Sequence, residues 1–366
     1  MIQILHKRDR QVRIDAMNNN KNLNAVILAG GSGTRFWPMS RRSRPKQFLN
    51  ISGDGTLLGK TITRILPQIP AQNIWIVTNA AYKKDILSHA KSFGIPTKNI
   101  LWEPSGKNTA PAILWAATVI HKINPQAVIA VLPSDHVILH PKEFLKVLKE
   151  AVSLADKNYL VTLGIKPTRP ETGYGYLKTA KSKKEDVLVV EQFTEKPNLQ
   201  KAKTFLKNKN YFWSSGMFVW RTSAILHAFQ KYLPQAYGPV ARQARKVEAV
   251  WSKLPNISVD YAILEKAPNV AAVAANNIGW SDVGSWESLA EVLPKDPEGN
   301  IHQGEIVQLN CQNTMFLGHK RLIAAVGLKD LIVIDTDDAL LICPKHASQR
   351  VKDIVSVLNL KDPKLI

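Results

Sequence analysis

The chain is 366 residues long and 45% hydrophobic, which suffices for one large domain and a smaller one. Its longest apolar runs fall well short of the roughly 20 residues that cross a bilayer, so we expect no membrane-spanning helix and no membrane partner. The formal net charge of +20 attracts anions such as nucleotide phosphates or nucleic acid, but it does not choose between them.

The first residues of the chain are polar, mildly basic and without a helical or strand period. We therefore expect residues 1–22 to form a disordered extension, although Met17 is an alternative start. The apolar stretch of a secretory signal does not follow Met1. The two cysteines, Cys311 and Cys343, form no CxxC pair. This usage is typical of a reducing compartment, so we expect the protein to be cytoplasmic.

From residue 23 to about 163, short apolar runs with β-branched residues alternate with longer stretches of helical period. The predicted strands are Leu23–Ala29, Asn73–Thr78, Ala127–Leu132 and Tyr159–Leu163. The predicted helices are Leu57–Leu66, Ala80–Phe93, Ala110–Ile120 and Pro141–Ala155. Alternating strands and helices predict an α/β fold, with a parallel sheet that is covered on both faces.

The second half of the chain is less regular. Strand-like pieces at Val187–Phe193 and Met217–Trp220 are separated by glycine- and aromatic-rich loops, which are typical of a ligand lid. The later predicted strands are Glu305–Leu309, Thr314–Leu317, Leu322–Val326, Leu331–Asp335 and Ala339–Cys343. A helix near Ala347–Leu358 follows. We expect a Rossmann-like domain with a mixed, mostly parallel sheet over 23–291, and a β-rich, β-helix-like domain over 292–366.

A glycine-rich loop, Gly30-Gly31-Ser32-Gly33-Thr34-Arg35, follows the first predicted strand. Open α/β sheets bind ligands at the carboxyl ends of their strands, and glycines let the backbone approach a phosphate closely. The loop has neither the Gly-Lys-Ser/Thr of a Walker loop nor the third glycine of a dinucleotide fingerprint. Two cations of the same segment, Arg35 and Lys46, favour a phosphate site. The alternative is a tight turn with solvated surface charges.

Two aspartates are candidate metal ligands. Asp135 comes just after a predicted strand, and Asp282 lies in a glycine-flanked loop. Carboxylates at the ligand edge of a sheet suit Mg²⁺, which takes oxygen ligands and bridges phosphates. The alternative for Asp135 is a loop or cap residue. We expect His136 to be a hydrogen-bonded loop residue rather than a ligand.

Two further groups have an ordinary structural explanation. The acidic trio Asp335, Asp337 and Asp338 lacks a calcium-loop pattern and follows a strand, so a turn is favoured over a second metal site. The aromatic run 211–213 is equally compatible with stacking on a ligand and with core packing.

Taken together, these segments resemble bacterial mannose-1-phosphate guanylyltransferases over nearly the whole chain from about residue 24. The segments that carry the resemblance are Gly30–Ser40 with Pro45–Phe48, Glu103-Pro104 with Asn108–Ala112, Leu132–Val137, Pro170–Tyr176, Phe193–Pro197, Ser215–Phe218, Asp260–Ala262 with Glu265-Lys266, and Gly279–Trp286. The resemblance implies a GTP-dependent nucleotidyltransferase that forms GDP-mannose from GTP and mannose 1-phosphate, with Mg²⁺ as cofactor.

The resemblance also assigns residues to roles. Catalysis is expected from Arg35, Lys46, Asp135 and Asp282, of which the two aspartates would bind the metal. The nucleotide would contact Ala29, Gly30, Gly31, Ser32, Gly33, Thr34, Glu103, Asn108, Thr109 and Ser134. The sugar phosphate would contact Gly173, Tyr174, Gly175, Glu195, Lys196 and Ser214.

The sequence departs from the family pattern in two places: Lys107 stands where the family usually has Arg, and Ser214 where it usually has Asn. The second change puts discrimination between hexoses in question. We expect no fused cupin isomerase domain. Three alternatives stay open: another sugar phosphate or NTP, a non-catalytic regulator that keeps the sugar-nucleotide fold, and nucleic-acid binding, which only the net charge suggests. We expect no nucleic-acid partner, and a homodimer through the β-rich domain is possible.

Overall fold

The computed structural model describes residues 22–31, 33–51, 55–180 and 187–366. The predicted disordered extension, apart from Asn22, and the predicted nucleotide contact Ser32 lie outside the described residues. The described chain divides into two compact units. The first contains the residues up to Gly30, Ile62–Pro133 and His140–Ile278, and the second contains Gly31–Thr61, Ser134–Leu139 and Gly279–Ile366.

The strands and helices are numbered in chain order. The strands are β1 Leu23–Ala29, β2 Ile74–Asn79, β3 Ile100–Glu103, β4 Val128–Pro133, β5 Val137–Ile138, β6 Leu160–Ile165, β7 Tyr176–Thr179, β8 Val187–Thr194, β9 Tyr211–Arg221, β10 Val270–Ala274, β11 Trp280–Ser281, β12 Ile301–Gln303, β13 Ile306–Leu309, β14 Met315–Leu317, β15 Ile323–Val326, β16 Leu331–Asp335 and β17 Leu340–Pro344. The helices are α1 Leu57–Ile65, α2 Lys83–Phe93, α3 Thr109–Ile123, α4 Pro141–Ala155, α5 Leu199–Leu206, α6 Thr222–Tyr232, α7 Pro234–Gln243, α8 Glu248–Trp251, α9 Trp286–Val292 and α10 Val351–Lys361.

The first unit contains a nine-stranded sheet in the order β3-β2-β1-β4-β9-β6-β10-β8-β7. Strands β3, β2, β1 and β4 pair in parallel, as do β6 and β10. Strand β9 is antiparallel to β4 and β6, and β8 is antiparallel to β10 and β7. The predicted mixed α/β sheet is therefore confirmed. The parallel half places the carboxyl ends of β1, β3 and β4 at one edge.

Helix α3 lies in the core of the first unit. Ten of its residues are buried, from Ala110 to Ile120. A helix that is apolar on nearly all sides belongs inside a domain rather than on its surface. Its Trp115 packs edge-on against Trp251, with ring centroids 5.6 Å apart. The helix begins at Thr109, with Asn108 as its N-cap residue.

The second unit contains the β-rich C-terminal part of the chain. Strand β12 pairs in parallel with β14 and β14 with β16, and β13 pairs in parallel with β15. Successive coils thus stack strand on strand, which confirms the predicted β-helix-like character. The core of this unit includes Phe36, Trp286, Met315 and Ile332, all fully buried. The predicted domain boundary between residues 291 and 292 stays a prediction.

Within the described part of the chain, no helix combines the length and the apolar character that crossing a membrane requires.

Candidate active site

The glycine loop of the second unit is held in place by Gly33. This glycine has φ +62°, in the left-handed region that side chains rarely adopt. A Cβ atom at Gly33 would also collide with the Lys46 side chain and lie 2.8 Å from the Lys46 amide nitrogen. The Gly33 carbonyl accepts hydrogen bonds from the Phe36 amide and the Ser40 hydroxyl. The absence of a side chain is therefore what lets the loop pack directly on Lys46.

Lys46 brings the two predicted metal ligands of the second unit together. Its side chain is only 6% exposed. Its Nζ donates to Oδ2 of Asp135 at 2.9 Å and to the backbone carbonyl of Asp282 at 2.8 Å. The ring of Phe36 covers the ammonium from another side, with the centroid 5.3 Å away. One buried cation thus fixes both aspartates by separate bonds.

The electrostatics at Asp135 favour the ionised carboxylate. Burial alone would raise the pKa of Asp135, but the Lys46 ammonium, together with His136, holds it below the ordinary value. A third of the Asp135 side chain remains exposed. The carboxylate is thus both charged and accessible. His136 accepts a hydrogen bond from the indole nitrogen of Trp280, as expected of a loop residue.

Asp282 lies in a tight turn whose backbone is strained. The next residue, Val283, has φ +45°, which is rare for a β-branched residue. Val283 is fully buried in the core of the second unit, and its amide donates to the Ser281 hydroxyl. The Asp282 carboxylate accepts from the Gly284 amide at 3.1 Å. Strain held by core packing next to a candidate ligand is typical of a functional turn.

The donor set of the second unit suits a hard cation. Asp135 and Asp282 provide carboxylate oxygens, and the described residues contain no cluster of three or more histidine, cysteine or acidic side chains. Mg²⁺ is commonly held by one or two carboxylates together with substrate phosphates and water. The residues present therefore fit such an ion.

Arg35, Thr34 and Gly31 are exposed on the same loop of the second unit. Ser134 differs, because it is only 3% exposed and its carbonyl accepts from the Thr61 hydroxyl. The structure therefore places the loop residues at the surface of the unit and Ser134 inside it.

In the first unit, Glu103 lies at the carboxyl end of β3 and is 6% exposed. A Cβ atom at Gly30 would lie 3.1 Å from Oε2 of this glutamate, so the carboxylate packs on the backbone of Gly30 within the first unit. Burial raises the pKa of Glu103 to about 7. Ala29, at the end of β1, is buried, and its carbonyl accepts from the Thr78 hydroxyl.

Asn108 and Thr109 begin helix α3. Asn108 has φ +65°, and its side chain accepts from the Thr109 amide at 2.9 Å. The Thr109 hydroxyl accepts from the Val259 amide. The start of the helix is thus fixed by its own cap and by the 257–260 segment, whose Ile257 carbonyl accepts from the Ala110 amide.

The predicted sugar-phosphate residues converge on Glu195. Its carboxylate packs on Gly175, where a Cβ atom would lie 2.7 Å from Oε2 and 2.9 Å from the Phe193 ring. Oε1 forms an ion pair with the Lys196 ammonium at 3.2 Å. The Glu195 side chain is 8% exposed, whereas that of Lys196 is 56% exposed. The Lys196 ammonium is therefore exposed to solvent, and the buried Glu195 carboxylate forms an ion pair with it.

The remaining predicted sugar contacts form packing contacts and hydrogen bonds within the first unit. Tyr174 packs edge-on against Trp213, with centroids 5.2 Å apart. Trp213 is 4% exposed, which favours core packing for the aromatic run. The Gly173 amide donates to the Glu171 carboxylate. Ser214 is 7% exposed, and its hydroxyl lies 3.3 Å from that of Thr162.

Asp260 and Glu265 also lie near Glu195, although no role for them was predicted from the sequence. The Glu265 carboxylate accepts from the Glu195 amide at 2.9 Å. Burial raises the pKa of Asp260 to about 7, and the nearby Glu195 carboxylate contributes to this rise. The only sequence signal was the segment 260–266, which took part in the resemblance without an assigned chemistry.

Each member of the acidic trio in the second unit contacts a basic side chain. Arg321 pairs with Asp335, His319 and Lys320 pair with Asp337, and Arg41 pairs with Asp338. These pairs are consistent with the turn that the sequence favours.

Comparison with known proteins matches residues 24–299 to the nucleotidyl transferase family and residues 304–358 to the MannoseP isomerase/GMP-like beta-helix domain. The mannose-1-phosphate guanylyltransferase of Escherichia coli is 36% identical over 355 residues, 93% of this chain and 76% of that protein. The xanthan biosynthesis protein XanB of Xanthomonas campestris pv. campestris is 40% identical over 91% of this chain and 73% of its own length.

The chain belongs to the mannose-1-phosphate guanylyltransferase family. A solved structure from Thermus thermophilus, described as a mannose-1-phosphate geranyltransferase, is 30% identical. It matches with a TM-score of 0.84 over 92% of this chain and 99% of that one. The sequence relatives therefore show the guanylyltransferase family, and the fold agrees with that of a solved mannose-1-phosphate transferase. The chain is an enzyme of the nucleotidyltransferase class.

Proposed function

We propose that the enzyme transfers GMP from GTP to α-D-mannose 1-phosphate, giving GDP-mannose and pyrophosphate. The observation that carries this proposal is the pair of bonds from buried Lys46 to Asp135 and Asp282. Such a cluster at a glycine loop suits a triphosphate and its metal. The names of the relatives from Escherichia coli and other bacteria support mannose 1-phosphate as the acceptor.

In the proposed reaction, a phosphate oxygen of mannose 1-phosphate attacks the α-phosphorus of GTP. A new P–O bond forms as the bond to the β-phosphate breaks, and pyrophosphate leaves from the opposite side. A general base is not required, because the second pKa of a phosphomonoester is about 6 and the attacking group is already a dianion near pH 7. The enzyme must align two polyanions and stabilise the charge of the transition state.

Residues of the second unit would act on the triphosphate. Gly31, Gly33 and Thr34 would present backbone amides to the phosphates, and Arg35 would add a cation. Asp135 and Asp282 would hold Mg²⁺, which when bound neutralises phosphate charge. Lys46 would keep both aspartates in place and contribute positive charge.

Residues of the first unit would bind the remaining parts of the substrates. Glu103, Asn108 and Thr109 would contact the guanosine. A buried carboxylate such as Glu103 can accept hydrogen bonds from the donor edge of guanine. This donor edge distinguishes guanine from adenine. Glu195 would accept from sugar hydroxyls, and Lys196, with its exposed ammonium, would face the sugar phosphate.

The decisive experiment measures pyrophosphate release for the purified protein with Mg²⁺ across a panel of NTPs and sugar 1-phosphates. We expect GTP with mannose 1-phosphate to give the highest kcat/KM, and EDTA to abolish turnover. Faster turnover with another pair would replace the substrate assignment. If no combination of NTP and sugar 1-phosphate is turned over, a non-catalytic sugar-nucleotide-binding regulator would be favoured.

One observation favours a second candidate with the same chemistry. Ser214 replaces the longer Asn of the family pattern, and its hydroxyl faces that of Thr162. A looser sugar pocket would accept glucose 1-phosphate as well, and the same panel distinguishes strict from relaxed hexose selection.

We also propose a homodimer formed through the second unit. Strands β13 and β15 pair in register and expose Val307, Leu309 and Val326, which are 55%, 61% and 70% exposed. A contiguous exposed apolar strip of a sheet is a common interaction surface. We expect sedimentation velocity to show a dimer and Leu309→Lys to yield a monomer. A wild-type monomer would refute the assignment. We further expect the enzyme to act in the cytoplasm, in keeping with its two free cysteines.

A further inference from the structure

Residues 169–176 of the first unit form a loop, here named the sugar loop, that contains three of the predicted sugar contacts. Within it, both oxygens of the Glu171 carboxylate accept hydrogen bonds. Oε1 accepts from the Gly173 amide at 3.0 Å, and Oε2 accepts from Nε of Arg169 at 3.2 Å. The Glu171 side chain is 26% exposed. One carboxylate thus joins the start of the sugar loop to its middle.

The end of the sugar loop is anchored to the sheet by Tyr176, the first residue of β7. Its hydroxyl donates to the Glu171 backbone carbonyl at 2.9 Å. The side chain is fully buried, and its ring centroid lies 5.3 Å from that of Phe205. Tyr176 also pairs with Trp213 of β9. Glu171 is therefore tied to the sheet through its backbone, while its carboxylate holds the backbone of Gly173.

Arg169 compensates the charge of the Glu171 carboxylate. Its guanidinium carbon lies 5.7 Å from the ring centroid of Trp213, and the same ring packs edge-on against Tyr174. The Arg169 side chain is 38% exposed. A carboxylate without a partner would repel a phosphate dianion bound nearby, and the ion pair with Arg169 offsets that repulsion. The sugar loop thus has an anionic anchor whose charge is balanced within the loop.

The sugar loop continues into the close contact with Glu195. The Gly175 carbonyl accepts from the Ser214 amide at 2.8 Å. At Gly175 a Cβ atom would lie 2.7 Å from Oε2 of Glu195, so the position of this backbone limits the position of the carboxylate. Gly173 is only two residues earlier in the chain. A loop released at Gly173 would gain conformational freedom beside Glu195, and ordering it again on ligand binding would cost free energy.

We propose that Glu171 is a positioning residue for the sugar phosphate. Its carboxylate holds the Gly173 amide and thereby keeps residues 173–175 in the conformation that binds the ligand. The bond to Gly173 is the essential contact, and the ion pair with Arg169 balances the charge. This inference rests on the proposed function, because it takes the sugar phosphate as the ligand of the sugar loop. Glu171 touches no substrate in the proposal and acts through the backbone.

The test compares three variants with wild type. Glu171→Met removes the acceptor at similar side-chain length, Glu171→Gln keeps an acceptor for the Gly173 amide, and Arg169→Met removes the partner of the ion pair. The measured quantities are the KM for mannose 1-phosphate, the KM for GTP, and the Kd for mannose 1-phosphate by calorimetry.

We expect Glu171→Met to raise the KM and the Kd for mannose 1-phosphate at least about tenfold, as the loss of a hydrogen bond to a charged acceptor implies. The KM for GTP should change less than about twofold. Glu171→Gln should stay within about threefold of wild type, because the Gly173 amide keeps its acceptor. Arg169→Met should stay within about fivefold, because a partly exposed ion pair contributes little.

Glu143→Met is the matched control, since it also removes a carboxylate from an ion pair of the first unit, with Lys146 on α4. It should leave both KM values near wild type. An unchanged KM in Glu171→Met, or an equal rise for both substrates, overturns the inference. It is also overturned if Arg169→Met is as impaired as Glu171→Met and Glu171→Gln shows no rescue, because the ion pair would then hold the loop.

Amide exchange resolved to single residues tests the bond in the free enzyme. We expect the Gly173 amide of wild type to exchange roughly tenfold or more slowly than an unbonded peptide amide, and to lose this protection in Glu171→Met but not in Glu171→Gln. Thermal melts verify folding, and fast exchange in wild type overturns the inference even if Glu171→Met unfolds. Binding of mannose 1-phosphate that depends on Glu171 but leads to no turnover supports the inference and refutes only the proposed function.

Discussion

The Lys46 ammonium lies 2.9 Å from the Asp135 carboxylate, and the same nitrogen donates to the backbone of Asp282. A lysine that is almost fully buried must have its charge compensated, and here the compensation comes from the two residues proposed to hold the metal. The ammonium lowers the pKa of Asp135 against the effect of burial. One side chain therefore governs both the position and the charge of the candidate metal ligand.

Removing the Lys46 charge should abolish most activity without unfolding the protein. We expect Lys46→Met and Asp135→Asn each to lower kcat about 100- to 1000-fold, the usual effect of losing one group that stabilises transition-state charge. Pyrophosphate release measures kcat, and circular dichroism measures folding. Lys142→Met, at an exposed position of α4, is the matched control. Turnover within threefold of wild type in either variant would remove that residue from the mechanism.

The two glycines of the loop should respond differently to alanine. At Gly33 a Cβ atom would strike Lys46 and the backbone has φ +62°, so we expect Gly33→Ala to lower stability by roughly 1–3 kcal/mol and to reduce activity. At Gly31 a Cβ atom meets nothing within 4 Å, so we expect Gly31→Ala to melt like wild type. Equal melting temperatures for the two variants would contradict the proposed packing of Gly33 on Lys46.

Sequence periodicity predicted the parallel half of the first sheet well, because β1, β2, β4 and β6 are apolar runs with β-branched residues between clear helices. It missed β3, which has only four residues, and β10, whose sequence Val-Ala-Ala-Val-Ala has weak strand propensity. These two strands are formed by pairing with neighbours in the sheet, a long-range effect that local pattern does not contain.

The candidate site also contains some features that were predictable from the sequence and others that were not. The glycine loop, Lys46 and Asp135 were predictable because each lies near the end of an early strand or within a cationic segment. The role of Gly175 was not, since only the structure shows that Glu195 occupies the space of its missing side chain. Likewise, the bond from the Glu195 amide to Glu265 joins segments that are 70 residues apart in sequence.

Glu103 should make stability depend on pH. Its pKa is raised from 4.5 to about 7 by burial, so the folded state keeps a proton that the unfolded state releases in this interval. The contribution of Glu103 to stability therefore falls as pH rises from about 4.5 to 7 and is constant above.

Glu103→Gln removes this ionisation and should be more stable than wild type at pH 8, by up to about 3 kcal/mol. Chemical denaturation at pH 4 and pH 8 measures the difference. At pH 4 the wild-type carboxyl is largely neutral in both states, so the two proteins should then agree, which is the internal control. A variant less stable than wild type at pH 8 would show that the buried carboxylate has a compensating partner.

Replacing Gly175 should affect the binding of the sugar phosphate and leave the binding of GTP nearly unchanged. A Cβ atom there would lie 2.7 Å from the Glu195 carboxylate, so Gly175→Ala must displace Glu195 and with it the Lys196 ammonium. We expect the KM for mannose 1-phosphate to rise at least tenfold while the KM for GTP changes less than twofold.

Gly238→Ala is the matched control in the first unit, where the nearest atom to a Cβ would be the flexible end of Arg242 at 3.4 Å. It should leave both KM values near wild type, because Glu195 is not touched. If Gly175→Ala instead raises the KM for GTP, Glu195 contacts the nucleotide and the proposed roles of the first-unit residues must be exchanged. If it changes neither KM, Glu195 does not bind the sugar, since a displacement at such a short distance cannot leave its carboxylate in place.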